Sequence, residues 1–175
     1  MVNALYALIT RPFQFIKSHA DESPSKLSVL CIILASLCVA SEANGSVISV
    51  ISLGLITAMI YSVLLFLQSV TIDFFAQGAL GCEAKSLRLF YWFGISLLPL
   101  ALWVPLDILD SSGKAHGGIS LIKLSLFILI LCEQLLILKT QYNLSTKKSL
   151  LLYVFPFLFT GLSFIGLALI LVFLG

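Results

Sequence analysis

The sequence predicts an all-α membrane protein, a bundle of five transmembrane helices preceded by an amphipathic helix that lies on the membrane surface. Of the 175 residues, 60% are hydrophobic and only 10% are charged, and the mean hydropathy is +1.13. A soluble domain carries roughly 25% charged residues and needs a polar exterior that this composition cannot supply. The net charge of +2 is too small to indicate a nucleic-acid partner.

The first 24 residues are predicted to form a cytoplasmic amphipathic segment. Apolar side chains recur there at helical spacing, at Leu5, Leu8, Ile9, Phe13 and Ile16. Polar side chains fall on the other side of the helix, at Thr10, Arg11, Gln14 and Lys17. This pattern is typical of a helix that lies in the membrane interface. Pro12 is expected to break or restart the helix.

The rest of the chain, residues 25–174, is predicted to be the transmembrane domain. A spanning helix needs about 20 mostly apolar residues, and five segments meet this requirement, at about 25–42, 46–71, 87–107, 118–138 and 150–174. The second helix could continue past Asp73. Pro99 and Pro156 lie inside spans, where we expect static kinks that help packing in preference to a hinge or a binding pocket.

A stripe of small residues marks the second span at four-residue spacing, at Gly54, Ala58 and Ser62. Such stripes let two membrane helices approach closely. We interpret this one as a contact within the bundle, with self-association of two chains as the alternative.

The positive charges predict the topology, because Lys and Arg concentrate on the cytoplasmic side of membrane proteins. With five spans, eight of the ten cations fall on the side of the N-terminus, and only Lys114 lies in a loop of the other side. The N-terminus is therefore predicted to be cytoplasmic and the C-terminus outside. Between the last two spans, Asn143 suits a left-handed turn and Ser145 suits a helix cap.

The cytoplasmic cations are also candidate contacts for membrane lipids or a partner protein. Lys147 and Lys148 are adjacent, and we favour topology and lipid phosphate contact over a docking surface as their role. The full set of candidate cations is Arg11, Lys17, Lys85, Arg88, Lys139, Lys147 and Lys148.

The chain resembles the Yip-domain family, polytopic proteins named for interaction with Ypt/Rab GTPases. The resemblance rests on "RPFQFIK", on "FFAQGALGCEAKSLRLFYWFGISLLPL" after the second span, and on "LLILKTQYNLSTKKSLLLYVFPFLF" between the last two spans. It implies a non-enzymatic role in membrane organisation or trafficking. The Asp-Leu-Tyr-Gly-Pro and Gly-Tyr type motifs of eukaryotic members do not occur here. This short form is similar to the bacterial branch of the family, and that similarity implies a location in the bacterial inner membrane. It assigns GTPase binding to none of the residues in this chain.

Three charged residues within the helices are candidate polar sites, because a charge costs about 3 kcal/mol at the bilayer centre. Lys123 lies close enough to the outer end of its helix to snorkel to the interface. Glu133 has three open interpretations: pairing with Arg88 or Lys85, protonation, or a proton or ligand role. Asp73 is expected at the inner end of the second helix in a solvated position.

No catalytic, cofactor or metal site is predicted. The four cysteines form no CxxC pattern and are interpreted as small apolar side chains. His19 and His116 fall on opposite sides of the membrane in the predicted topology. The leading hypothesis is therefore a non-enzymatic membrane protein that binds lipid or another membrane protein. The alternative is a small transporter or channel with a polar path at Glu133 and Asp73, and an intramembrane enzyme is third.

Overall fold

The computed structural model of the protein describes residues 2–41, 46–111, 116–156 and 158. These residues form helices, turns and loops with no strand among them, which confirms the predicted all-α class for this part of the chain. The helices, in chain order, are α1 Val2–Thr10, α2 Pro12–Ser18, α3 Ser25–Ala40, α4 Val47–Leu80, α5 Ser86–Ile95, a 3-10 helix Leu98–Leu102, α6 Trp103–Ser111, α7 His116–Gln141, and α8 at 146–156.

Three stretches in the described part of the chain are long and apolar enough to cross a membrane, namely Val47–Leu80, Ser86–Leu109 and Gly118–Gln141. The composition and the lengths of these helices therefore indicate a membrane protein. Helix α3, at the predicted first span, has only 16 residues. The predicted fifth span is described only as far as residues 156 and 158, so its remainder lies outside the described residues, as does Lys114.

Helix α4 continues past residue 71 and past Asp73 to Leu80, a continuation that the sequence had left open. Ser46 caps its start by accepting a hydrogen bond from the Ser49 amide at 3.3 Å. Gly81 ends it with φ of 64°, a left-handed conformation that glycine adopts without steric cost. At about 1.5 Å per residue, its 34 residues exceed the thickness of a bilayer core.

The third predicted span is broken at Pro99. Because proline lacks an amide hydrogen, the α-helical bond to the Ile95 carbonyl cannot form there. The chain passes through the 3-10 helix before α6 begins at Trp103. At the position of the predicted kink, the structure thus has a change of helix type.

Helix α3 packs against both α4 and α5 at glycine contacts. A Cβ added at Gly54 would lie 2.6 Å from Cδ2 of Leu37, and one added at Gly94 would lie 2.2 Å from Oγ of Ser28. The small-residue stripe therefore contacts α3 within the chain at Gly54. The core between these helices is apolar, with Cys31, Ala35, Ile72, Trp92 and Phe93 at its centre.

The N-terminal helices divide their apolar side chains between two environments. Leu8 and Ile16 are buried in the core together with Phe15, which was not singled out from the sequence. The Phe15 ring stacks on His19 with centroids 4.4 Å apart and lies near Trp92. Ile9 and Phe13 are exposed on the outer surface. Pro12 is the first residue of α2, so the helix restarts there.

Candidate functional site

Asp73 is the centre of a buried hydrogen-bond cluster at one end of the bundle. Its carboxylate accepts from the backbone amides of Lys85 at 2.9 Å and Ser86 at 3.1 Å. It also accepts from Nε2 of Gln77 at 3.1 Å and from the Tyr142 hydroxyl. Asp73 is only 3% exposed, which corrects the expectation of a solvated position. A carboxylate with this many donors caps α5 and holds the end of α7.

Tyr142 lies in the turn after α7. Burial raises the pKa of its phenol, and the hydrogen bond to Asp73 raises that pKa further. The hydroxyl therefore keeps its proton and acts as a donor at neutral pH. The Lys85 ammonium lies 5.7 Å from the centroid of the Tyr142 ring and donates to the carbonyl of Gln141.

The same end of the bundle holds the segment between α2 and α3. Nε2 of Gln141 donates to the Ala20 carbonyl, and the Trp92 indole donates to the Glu22 carbonyl at 3.2 Å. Arg88 forms an ion pair with Asp21 at 3.8 Å. The N-terminal region, the connection between α4 and α5, and the α7–α8 turn are thus in contact. The charge pattern predicts all three on the side of the N-terminus.

The turn between α7 and α8 has the predicted local structure. Asn143 has φ of 52°, in the left-handed region. Oγ of Ser145 accepts from the Lys148 amide at 3.5 Å, at the start of the next helix.

A second polar cluster, not predicted from the sequence, joins four helical segments around Gln134. Oε1 of Gln134 accepts from the Tyr153 hydroxyl at 2.6 Å and from Gln68 at 3.4 Å. Nε2 of Gln134 donates to Oγ of Ser96 at 3.2 Å. The sequence signal for this cluster is weak, because each member is an uncharged polar side chain within an apolar run.

Glu133 is buried at 3% exposure and does not pair with either cation suggested from the sequence. Arg88 pairs with Asp21, and Lys85 donates to Gln141. The Glu133 side chain instead lines a cavity of about 190 Å³ beside Pro99. Protonation and a ligand role are the interpretations that stay open for this residue.

The sequence predicted that the Lys123 side chain extends to the interface, but in the structure it contacts two side chains of α6. Its ammonium forms an ion pair with Asp107 of α6 and lies 4.7 Å from the centroid of the Trp103 ring. Asp107 is half-buried in this pair. Since both charges are desolvated together, the pair joins α6 to α7.

Two grooves with basic rims lie next to α8. The first, which we call the α2 groove, has a volume of about 490 Å³ and is lined by Phe13, Lys17, Cys132, Leu135, Leu136, Lys139, Thr146 and Ser149. The second, the α4 groove, has about 370 Å³ and is lined by Phe75, Ala79, Leu80, Lys147, Lys148, Leu151, Leu152 and Phe155. Each groove combines an apolar wall with two exposed lysines.

The other candidate residues are placed as follows. Arg11 is exposed at the junction of α1 and α2. Pro156 is buried near the end of the described part of α8. Ala58 packs against the core, and Ser62 donates to the Ala58 carbonyl at 2.8 Å.

Within the described ranges, no three His, Cys, Asp or Glu side chains are grouped so that they could hold a metal ion.

Comparisons of the chain with protein-family models, with curated proteins and with solved structures found no match.

Proposed function

We propose that the protein is an integral membrane protein without catalytic activity that binds anionic phospholipid at its cation-rich end and takes part in membrane organisation or trafficking-type processes. The sequence resemblance to short bacterial Yip-domain proteins supports this proposal. We further propose five spans in the bacterial inner membrane, with the N-terminus cytoplasmic and the C-terminus outside. In this arrangement the exposed side chains of Tyr6, Ile9 and Phe13 insert into the interface.

The observation that carries the proposal is the α2 groove. Lys17 of α2 and Lys139 of α7 stand at its rim, and Nζ of Lys139 donates to Oγ1 of Thr146 at 3.1 Å. Leu135 and Leu136 form its wall below them. A phospholipid presents a phosphate above acyl chains, so its charge matches the rim and its chains match the wall. Cations near an anionic surface contribute about 1 kcal/mol each.

The α4 groove repeats this chemistry on the other side of α8. Lys147 and Lys148 lie at its rim above Phe75, Leu151 and Phe155. Both grooves share the α8 helix, whose first turn carries Lys147 and Lys148. The adjacent lysines therefore lie where lipid phosphate would meet them. Another membrane protein, or a second copy of the chain through Gly54, Ala58 and Ser62, is the alternative partner.

Native mass spectrometry of the protein extracted in mild detergent tests the proposal. We expect bound phosphatidylglycerol or cardiolipin in preference to phosphatidylcholine. We expect Lys17→Gln and Lys139→Gln each to lower the bound anionic lipid, whereas Lys26→Gln, an exposed lysine that lines neither groove, should not. Equal retention in all three variants, or no preference for anionic lipid, would remove the support for this function.

A small transporter or channel is the second candidate. It is favoured by Glu133, a buried acid that faces a cavity. Asp73 contributes less to such a path, because its oxygens are occupied by Lys85, Ser86 and Tyr142. Solute or ion flux in proteoliposomes that is lost in Glu133→Leu would favour transport over lipid binding.

A further inference from the structure

The cavity beside Glu133 has one polar side chain among the described residues that line it. Its walls come from the N-terminal helices, from the broken third span and from α7, and include Leu8, Pro12, Leu98, Pro99 and Leu129. Glu133 is more than nine-tenths buried and its side chain lines the cavity. The Pro99 break and the return of the N-terminal helices thus form an apolar pocket with a single carboxyl group, and this pocket opens to the surface where Ile9 and Leu102 are exposed.

The cations of the described chain do not neutralise this carboxyl group. Arg88 pairs with Asp21, Lys123 pairs with Asp107, and Lys85 donates to a backbone carbonyl. Arg11 adjoins Pro12, but its side chain is exposed. No residue in the described ranges forms an ion pair or hydrogen bond with Glu133.

An ionised carboxylate in apolar surroundings is costly unless a cation accompanies it. The volume of about 190 Å³ is sufficient for such a companion, since an engineered apolar cavity of about 150 Å³ binds benzene. We propose that the cavity binds a small hydrophobic amine. Its ammonium group pairs with the Glu133 carboxylate, and its apolar body, on the order of eight non-hydrogen atoms by the same comparison, packs against Leu98 and Pro99.

A free amine fits the cavity better than the ammonium of a phosphatidylethanolamine headgroup. The headgroup would bring a phosphate next to the ammonium, and the cavity wall has no described cation to receive it. The basic grooves that would suit a phosphate are separate from this cavity, because they share none of its lining residues.

Calorimetric titration of the full-length protein in detergent with benzylammonium chloride tests the proposal, and benzyl alcohol serves as the neutral probe of similar shape. We expect saturable binding of benzylammonium at pH 7. Glu133→Gln should weaken it by about tenfold or more, as expected for loss of a desolvated ion pair, and should leave the affinity for benzyl alcohol unchanged. Glu83→Gln, which removes an exposed acid, is the matched control and should bind both probes normally.

A second variant keeps the test informative if Glu133→Gln does not fold. Ala101→Phe fills the cavity and retains the acid, so it should abolish binding of both probes. Equal affinity of the wild-type protein for benzylammonium and benzyl alcohol, or unchanged binding in Ala101→Phe, would overturn the proposal. Displacement of benzylammonium by micelles that contain phosphatidylethanolamine, but not by phosphatidylcholine micelles, would identify the lipid headgroup as the ligand and overturn the assignment to a free amine.

Discussion

At the scale of single residues, the buried acids Asp73 and Glu133 have opposite surroundings. Asp73 accepts hydrogen bonds from two backbone amides and two side chains, whereas Glu133 accepts none from the described residues. Both positions were identified from the sequence, because an acid in an apolar run is conspicuous. Their surroundings were not, because three of the four donors to Asp73 come from residues 12, 13 and 69 positions away along the chain.

Replacing Asp73 tests its structural role. We expect Asp73→Ala to lower the free energy of unfolding by about 3 kcal/mol, because it leaves several buried donors without an acceptor. Asp73→Asn should cost less, since its amide oxygen still accepts. The measurement is SDS-induced unfolding in mixed micelles. Glu83→Gln, at an exposed acid, serves as the control, and an Asp73→Ala protein as stable as this control would contradict the structural role.

The raised pKa of the Tyr142 phenol predicts that the stability of the protein depends on pH. Because its folded-state pKa lies above the ordinary value of 10.0, the unfolded state releases the phenol proton first as pH rises. The contribution of Tyr142 is therefore complete below pH 10.0 and is lost as pH rises towards the folded-state pKa. We expect Tyr142→Phe to cost about 1–2 kcal/mol at pH 7.

The difference in unfolding free energy between wild type and Tyr142→Phe should shrink above the ordinary tyrosine pKa. Unfolding monitored at a series of pH values measures it. Tyr6→Phe provides the comparison, because Tyr6 is 68% exposed and should show no such difference. A wild-type advantage that stays constant through the alkaline range would show that the Tyr142 proton is not held by Asp73.

At the scale of helices, the sequence predicted positions better than interactions. Apolar runs located the helices from α3 to α8, and Asn143 and Ser145 located the last turn, because these signals are local. The apolar run of α4 ends at about residue 71, because Asp73 and Gln77 lower the hydropathy of the stretch that follows. The helix continues past Asp73 to Leu80, a continuation that the sequence had left open. The Gln134 cluster depends on which helix faces meet, and one sequence does not carry that information.

Substitutions at two glycines of α4 are expected to have opposite effects on the stability of the protein. Gly54→Val should destabilise the protein by about 1–3 kcal/mol, because the added side chain forces α3 away at Leu37. Gly78→Ala should stabilise it by about 0.5–1 kcal/mol, since Gly78 is helical and has open space around it. Thermal unfolding in detergent compares them. Equal effects of the two substitutions would mean that Gly54 does not contact α3.

At the scale of the whole molecule, the hydrogen-bonded connections lie at the same end of the bundle as Lys85 and Arg88. Contacts from Gln141 to Ala20, from Trp92 to Glu22 and from Arg88 to Asp21 join three separate parts of the chain there. The charge rule grouped the same parts from the sequence alone, because the rule depends on the side of the membrane and on no particular contact. The number of spans is a separate matter and depends on α3.

Helix α3 decides between the five-span arrangement and one in which it lies within the membrane without crossing it. Its 16 residues extend about 24 Å, and a bilayer core is about 30 Å thick. We expect it to cross, because Ser25 is at the cation-rich end and Ala40 precedes the connection to α4 at the other end. The exposed side chain of Lys26, at the start of α3, extends to the interface and compensates for the short length of the helix.

Single cysteines at the two ends of α3 test this crossing. In a protein whose native cysteines are replaced by serine or alanine, we introduce Ser23→Cys or Ser46→Cys, both at exposed positions. An impermeant maleimide applied to intact cells should label the cysteine at position 46 only, and inverted membrane vesicles should give the reverse. Labelling of both cysteines from the same side would place both ends of α3 on one face. The chain would then have at most four crossings, and the proposed five-span arrangement would be wrong.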